Sequence, residues 1–288
     1  MNILVIGGTR FFGIPMVKKL IANGHHVTIA TRGIAKDTFG NSVSRLIFDR
    51  SDEASIKAAF GRKQFDVVID KIAYSSNDVR RVLDHIQCST YILMSSSAVY
   101  TDMHADTKES EFDESNYPLK WCERSDADYD EVKRQAECCV AQHYPEQKYI
   151  AVRYPVVIGS NDYTNRLRFY VEHIMQHEPM YIDDMHSRIS FIHEEEAGLF
   201  FAHLVKSDIT GAINGCSDGD TSIAEFIGYI ENKTRCKAVL SKDGNAAPYN
   251  GYPEFATLNT DKAKGTGFQF KQIKDWIYPT IDNIISTL

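Results

Sequence analysis

No stretch of this 288-residue chain approaches the ~18 consecutive apolar residues that a membrane-crossing helix needs, which speaks against a helical span. Its six cysteines include no CxxC pair and no His/Cys spacing suited to zinc, so no metal site and no disulfide framework is expected, only reduced thiols. An excess of positive charge is missing too. With 32 Lys and Arg against 39 Asp and Glu the net charge is −7, and an acidic surface repels phosphate backbones, so no nucleic-acid partner is expected. The N-terminus lacks a basic segment and its apolar run meets glycine directly after Ile6, which reads as no signal peptide and a cytoplasmic location. Repeats, low-complexity tracts and Pro/Gly-rich linkers are also absent.

What is present is an alternation. NILVIG, HHVTIAT, RLIFD, DVVIDKIA, TYILMSS and YIAVRYPVVIG (149–159) read as strands, most of them near-continuous apolar runs. Helical patterns lie between them at 13–23, 52–60, 76–86 and 129–142. Apolar strands separated by helices predict a parallel sheet covered on both faces, an α/β Rossmann-type doubly wound fold whose ligands bind at the carboxyl ends of the strands. After Gly159 the alternation weakens to helices at 165–176 and 222–232 and short strands at 189–193 and 238–240. The expected organisation is a dinucleotide-binding domain over 1–160 and a smaller C-terminal α/β substrate lobe over 161–288, returning to the first half near 189–205.

The first strand runs into Gly7-Gly8-Thr9-Arg10-Phe11-Phe12-Gly13. A glycine turn between a first strand and a helix lets backbone N–H groups approach a pyrophosphate, which then sits on the positive end of the helix. Arg10 stands where a middle glycine is usual. The second strand ends in Thr31-Arg32, without the carboxylate that takes ribose hydroxyls in NAD sites. A carboxylate there would repel a 2′-phosphate and an arginine pairs with it. NADP or NAD is therefore expected, with the lean toward NADP through Arg10 and Arg32. Asp49 and Arg50, at the end of the third strand, are placed beside the adenine. Lys71 and Ala73, at the end of the fourth, join this cofactor set with Gly7, Thr9, Phe11, Phe12 and Gly13.

The pattern YxxxK occurs three times, at Tyr129–Lys133, Tyr144–Lys148 and Tyr229–Lys233. Pro145 interrupts the second copy, and the third falls in the C-terminal half. Only the first begins a long helix directly after the strand that carries Ser95-Ser96-Ser97. Positions i and i+4 share a helix face, so Lys133 can lie beside Tyr129 and lower its pKa, the tuning a general acid/base requires.

Taken together, GGTRFFG, SSSAVY, YDEVK, RYPVVIG and FIHEEEAG resemble the extended short-chain dehydrogenase/reductases, the NAD-dependent epimerase/dehydratase family, in a divergent branch marked by GGTRFxG. The resemblance implies Ser96 as the catalytic serine, Tyr129 as the proton-transfer tyrosine, and Lys133 as the residue on the nicotinamide ribose. Tyr154 and Pro155 then pack the nicotinamide. Departures narrow the chemistry. Ser97-Ala98 replace the Asp-Glu pair of the dehydratases, and Val156 replaces an asparagine that touches the diphosphate of nucleotide sugars. Arg188 precedes FIH by three residues where the family's diphosphate arginine precedes it by two. Substrate contacts are expected from Ser97, Arg166, Arg168 and Arg188, and the acidic 102–128 segment is expected to line the substrate mouth as a loop. The implied function is an NAD(P)-dependent oxidoreductase or epimerase acting on a small, carbohydrate-like substrate, with a homodimer as a family-based expectation. The alternative is a non-catalytic cofactor sensor or RNA binder, because plant chloroplast stem-loop RNA-binding proteins resemble the same branch.

Tyr129→Phe should cost ~10²–10⁴-fold in turnover, the usual worth of general acid/base catalysis, while cofactor binding persists. Tyr144→Phe and Tyr229→Phe, assayed in parallel, should leave turnover near wild type.

Overall fold

In the computed structural model, which describes residues 1–61 and 63–288, the expected alternation becomes a seven-stranded parallel sheet. The first half contributes β1 (Asn2–Ile6), β2 (His26–Thr31), β3 (Val43–Ile47), β4 (Gln64–Asp70), β5 (Gln87–Ser96) and β6 (Tyr149–Tyr154). Between them run α1 (Gly13–Ala22), α2 (Glu53–Phe60), α3 (Ser76–Leu83) and α4 (Tyr129–Cys138). The second half holds β7 (Val156–Ile158), β8 (Pro179–Tyr181), β9 (Arg188–Ile189), β10 (Phe191–His193) and β11 (Gly211–Asn214). Its helices are α5 (Arg166–Gln176), α6 (Glu194–Leu204), α7 (Ile223–Thr234), α8 (Asp261–Gly265) and α9 (Lys274–Ser286). The sheet order is β3-β2-β1-β4-β5-β6-β11, so the Rossmann-type fold class read from the sequence holds.

Alternation along β1 explains why both sheet faces are covered. Ile3 and Val5 join Met16, Leu20 and Phe200 in the core beneath α1 and α6, while Leu4 and Ile6 join Val79, Val82 and Ala136 beneath α3 and α4. The α1–α6 crossing requires Gly198, where a Cβ would lie 2.5 Å from the Phe12 carbonyl oxygen. A separate core of α5, α7 and α9 side chains, including Ile174, Phe226 and Ile277, builds the C-terminal lobe.

Register then decides what meets at the carboxyl edge. Ile6 lies opposite both Ala30 and Asp70, so Gly7 and Lys71 leave the sheet side by side, next to Thr31 at the end of β2. Ser96 lies opposite Tyr154.

Several expectations change. The single strand predicted over 149–159 is broken at Pro155, which has no N–H to donate to a ladder. Beyond it β7 leaves the main sheet and pairs with β10. The 189–193 strand is likewise split, at Ser190. The helix that starts at Tyr129 is α-helical to Cys138 and continues as a π-helical turn over Cys139–His143. The return of the chain to the first half extends beyond 189–205, because β11 completes the main sheet against β6.

The 102–128 segment is not a loose loop. Arg153 on β6 is completely buried and donates from Nη1 to the Glu109 carbonyl (2.8 Å) and from Nη2 to Glu114 Oε2 (3.0 Å). The same guanidinium holds Glu137 of α4 at 2.7 Å, and Ser95 of β5 donates to Glu137. Tyr100, which accepts from Arg153 Nη1, donates to Asn214 on β11 (2.6 Å). One buried cation thus ties β5, β6, β11, α4 and the acidic segment together. Arg153→Met should cost about 3–5 kcal/mol of stability in urea denaturation, because it leaves buried carboxylates without a counter-charge. Adding Glu137→Leu should recover part of that loss.

Candidate functional site

Glycine shapes the turn after β1. Gly7 and Gly8 have φ of 94° and 98°, and a Cβ on Gly13 would lie 2.6 Å from the Gly8 Cα. The start of α1 therefore abuts the turn backbone, and no side chain fits between them. Phe11 also takes a left-handed φ of 53° and is buried, with Tyr163 of the 159–165 loop meeting its ring edge-on at 6.0 Å. Among the described residues the amides of Thr9, Arg10 and Phe11 find no acceptor within the protein. Unpaired donors at a helix N-terminus suit an anion, so the turn fits the pyrophosphate of a dinucleotide.

Lys71 reinforces this. Its ammonium lies 4.1 Å from the Phe12 ring centroid, and its side chain overlies Gly7. It has no carboxylate partner among the described residues, and burial brings its pKa down to about 8. A nearly buried, unpaired ammonium beside empty amide donors is a second feature that a phosphate would satisfy.

On the β2 side, Arg32 and Arg10 are exposed, and Thr31 Oγ1 accepts from the Gly33 amide at 3.2 Å. Asp49 accepts from both the amide and the hydroxyl of Ser51 (2.9 and 2.6 Å). These bonds, with the Arg32 charge adding to them, hold its carboxyl below the usual range. Arg50 has a different partner from the adenine the sequence suggests. Its Nη2 donates to both oxygens of the fully buried Asp70 at 2.6 Å, and its Nη1 donates to the Asp78 carbonyl. Tyr91 donates to the same Asp70 (2.8 Å). Arg50 is thereby a structural cation that joins the ends of β3 and β4 to α3. Ala73 is buried, and its carbonyl accepts from Lys133. Tyr154 is buried between Phe12 and Phe201, with its hydroxyl donating to the Ala197 carbonyl (2.7 Å), while Pro155 is half-buried.

Across the cleft the structure brings Ser96, Tyr129 and Lys133 together at the end of β5 and the start of α4. Ser96 Oγ accepts from the Ala98 amide (3.2 Å) and faces the Tyr129 phenol. Ser95 is buried on Glu137, and Ser97 is buried in the short turn that follows. Tyr129 departs from the expected tuning. The residue as a whole is 47% exposed, but burial of its hydroxyl pushes the pKa above the ordinary value, although the Ser96 hydroxyl and the charges of Arg166 and Arg124 act in the other direction. Lys133 is not what lowers it. Its ammonium donates to the carbonyls of Ala73 (2.8 Å) and Met94 (2.9 Å) and lies 6.0 Å from the Tyr129 ring centroid. Burial brings Lys133 itself down to about 8.

Two residues here carry no motif. Tyr74, one residue past Ala73, meets Tyr129 edge-on at 6.2 Å and has Lys133 Nζ 4.6 Å from its ring centroid. Arg124, from the acidic segment, stacks on Tyr74 at 3.7 Å. The only signal available for Tyr74 is an aromatic directly after a strand end that already holds two expected site residues. Of the expected substrate arginines, Arg166 acts on Tyr129. Arg168 is held by Glu172 (3.1 Å) and Thr287, and Arg188 by Asp220 and Glu225 (3.2 Å). Among the described residues no group of three His, Cys, Asp or Glu side chains could hold a metal ion, and no helix is long and apolar enough to cross a membrane.

Comparison with known proteins bears on the fold. The NAD dependent epimerase/dehydratase family model matches residues 3–89. A curated relative, the chloroplast stem-loop binding protein of 41 kDa b of Arabidopsis thaliana, is 34% identical over 113 residues, a match that covers 34% of this chain and 30% of the relative's length. Solved structures match over the whole chain. UDP-glucose 4-epimerase of Thermotoga maritima, with UDP-glucose, has a TM-score of 0.77 at 17% identity, covering 100% of this chain and 99% of the other. UDP-glucuronic acid 4-epimerase of Bacillus cereus, with UDP-glucuronic acid and NAD, has a TM-score of 0.77 at 16% identity, with 100% of both chains covered. Residues 3–89 thus match the NAD dependent epimerase/dehydratase family model, and the chain as a whole shares the Rossmann-type fold of these solved structures.

Proposed function

We propose that this protein is an NAD(P)-dependent enzyme that oxidises and re-reduces a hydroxyl-bearing carbon of a sugar, as an epimerase does, with Tyr129 as the acid/base. The observation that carries this reading is the placement of Ser96 at the end of β5 and Tyr129 at the start of α4, near enough for the Ser96 hydroxyl to act on the phenol, with the Lys133 ammonium 6.0 Å from the Tyr129 ring centroid. Ser96 orients the substrate hydroxyl, and Tyr129 takes its proton and later returns it. A phenol is protonated at neutral pH, and burial disfavours this one's ionisation further, so its deprotonation in turnover draws on the groups that favour the phenolate, Ser96, Arg166 and Arg124. Lys133, supported by two carbonyls, is positioned to donate to a ribose. When bound, the nicotinamide supplies a hydride acceptor that can give the hydride back.

The name of the Arabidopsis relative, a stem-loop binding protein, favours nucleic-acid binding as a second reading. The charge distribution weighs against it. Net charge is −7, whereas an RNA binder needs a basic surface to meet the phosphate backbone. An electrophoretic shift with stem-loop RNA at ordinary salt would favour the second reading; none is expected.

Ser96→Ala should lower kcat with little change in cofactor affinity, and Ser97→Ala should not. An equal loss in both variants would remove Ser96 from the site. Calorimetric titration of NAD and NADP tests the cofactor half. Arg32 is exposed, so its contact with a 2′-phosphate is worth the lower end of the range for charged hydrogen bonds, ~1.5 kcal/mol, or about tenfold in favour of NADP. Arg32→Ala should abolish that preference. Both cofactors should bind more weakly as pH rises through about 8, where Lys71 loses its charge in the free protein. Lys71→Met should weaken binding at neutral pH and flatten that slope.

A further inference from the structure

Glu194 opens α6 and is buried, yet among the described residues no cation pairs with it, and its Oε2 has no hydrogen-bond partner. Burial raises its pKa, against the pull of the Asn161 donors. A buried carboxylate with one bare oxygen costs free energy, so what its other oxygen holds is informative. Oε1 accepts from the Asn161 backbone amide (3.1 Å) and from Asn161 Nδ2 (3.0 Å). Asn161 belongs to the 159–165 loop, which leaves β7 just where β10 gives way to α6, because Ile158 lies opposite His193. Glycine is needed at the first position of that loop, since a Cβ on Gly159 would collide with the Glu194 side chain. Asn283 of α9 ties the same end down by donating to Ser160 Oγ (3.2 Å).

Beyond Asn161 the loop is stiffened from within. The Asp162 amide donates to the Gly159 carbonyl and the Asn165 amide to the Asp162 carbonyl, both at 3.1 Å. Asp162 Oδ1 accepts from the amide and the hydroxyl of Thr164 (2.9 and 2.6 Å). Between these turns stands Tyr163, 71% exposed, with its ring edge-on to Phe11. Phe11 belongs to the glycine turn, its own amide is one of the free donors there, and it holds a left-handed φ that its side chain disfavours. A strained aromatic in the phosphate-binding turn therefore meets the exposed aromatic of a loop that a buried carboxylate holds from the other end.

We infer that the 159–165 loop is a strap across the glycine turn, clasped at its base by Glu194 and closed at its tip by Tyr163 on Phe11, and that it keeps the dinucleotide in place between the two hydride transfers. This rests on the hydride-transfer reading for the identity of the bound molecule, and adds the residues that govern its entry and exit. A protein that takes a hydride from a sugar and then returns it gains by holding one cofactor through both steps. Glu194 is a positioning residue, acting through Asn161 on the loop that carries Tyr163.

The test is stopped-flow binding to the full chain, following NADPH and NADH fluorescence, with excess NADP or NAD to displace them. In the free protein the strap already rests on the turn, so its loss speeds both entry and exit. Tyr163→Ala should raise the association and dissociation rates together, each by about fivefold, the ~1 kcal/mol of one edge-to-face aromatic contact. Tyr163→Phe should keep both at wild type. Glu194→Ala should raise both rates likewise, and Glu194→Gln, which keeps an acceptor for Asn161, should restore them. Because Tyr163 is exposed, Tyr163→Ala reads the strap independently of whether Glu194→Ala folds. Unchanged rates in Tyr163→Ala would overturn the inference, as would faster exit with unchanged entry, the mark of a direct contact with the cofactor. Equal rates in Glu194→Gln and Glu194→Ala would overturn the clasp. Failure of both dinucleotides to bind the wild type would overturn the hydride-transfer reading and the strap with it, whereas binding at rates that ignore Tyr163 overturns the strap alone.

Discussion

The site depends on one buried ion cluster. Glu137 lies two turns beyond Tyr129 on α4, and it is held from both sides, by Arg153 on β6 and by Ser95 on β5. That fixes the height and rotation of α4 against the sheet, and so the distance between Tyr129 at its first turn and Ser96 at the end of β5. Buried ion pairs are poor evidence for net stability, because desolvation offsets much of the attraction. Their directional hydrogen bonds do define a geometry. Here the guanidinium uses all its faces, with two carboxylates, two backbone carbonyls and a tyrosine hydroxyl around it.

A second lock works at the other side of the cleft. Arg50, Asp70 and Tyr91 join the ends of β3 and β4 to the middle of β5, and Lys71 follows directly from Asp70. The protein therefore spends two of its cations on scaffolding, and leaves Lys71, Arg10, Arg32, Arg124 and Arg166 without carboxylates in hydrogen-bond reach.

Much of the fold was legible because its signals are local. Continuous apolar strands, a glycine turn at residue 7 and helix starts at Gly13, Asp52, Ser75 and Tyr129 each depend on a few neighbouring residues. The two splits came from short-range competition that periodicity overlooks. Pro155 removes one donor, and the apolar pattern continues through it unchanged. β11 was missed because GAIN is four residues long, and its burial depends on the free edge of β6.

The site divides the same way. Sequence by itself determined the parallel sheet, the glycine turn after β1 and the i,i+4 pair Tyr129–Lys133, because local pattern and chain spacing carry them. Only the tertiary structure decided the partners of the charges. Arg50 turned from an adenine contact into a scaffold because Asp70 lies twenty residues away on a neighbouring strand end. Lys133 bonds two carbonyls and leaves the tyrosine to Ser96 and two arginines. Arg124 and Tyr74, fifty residues apart and in no motif, became neighbours of the reacting hydroxyl. The physical reason is that a charge's role is set by burial and by whichever opposite charge lies within a few ångströms, and both are properties of the packed chain.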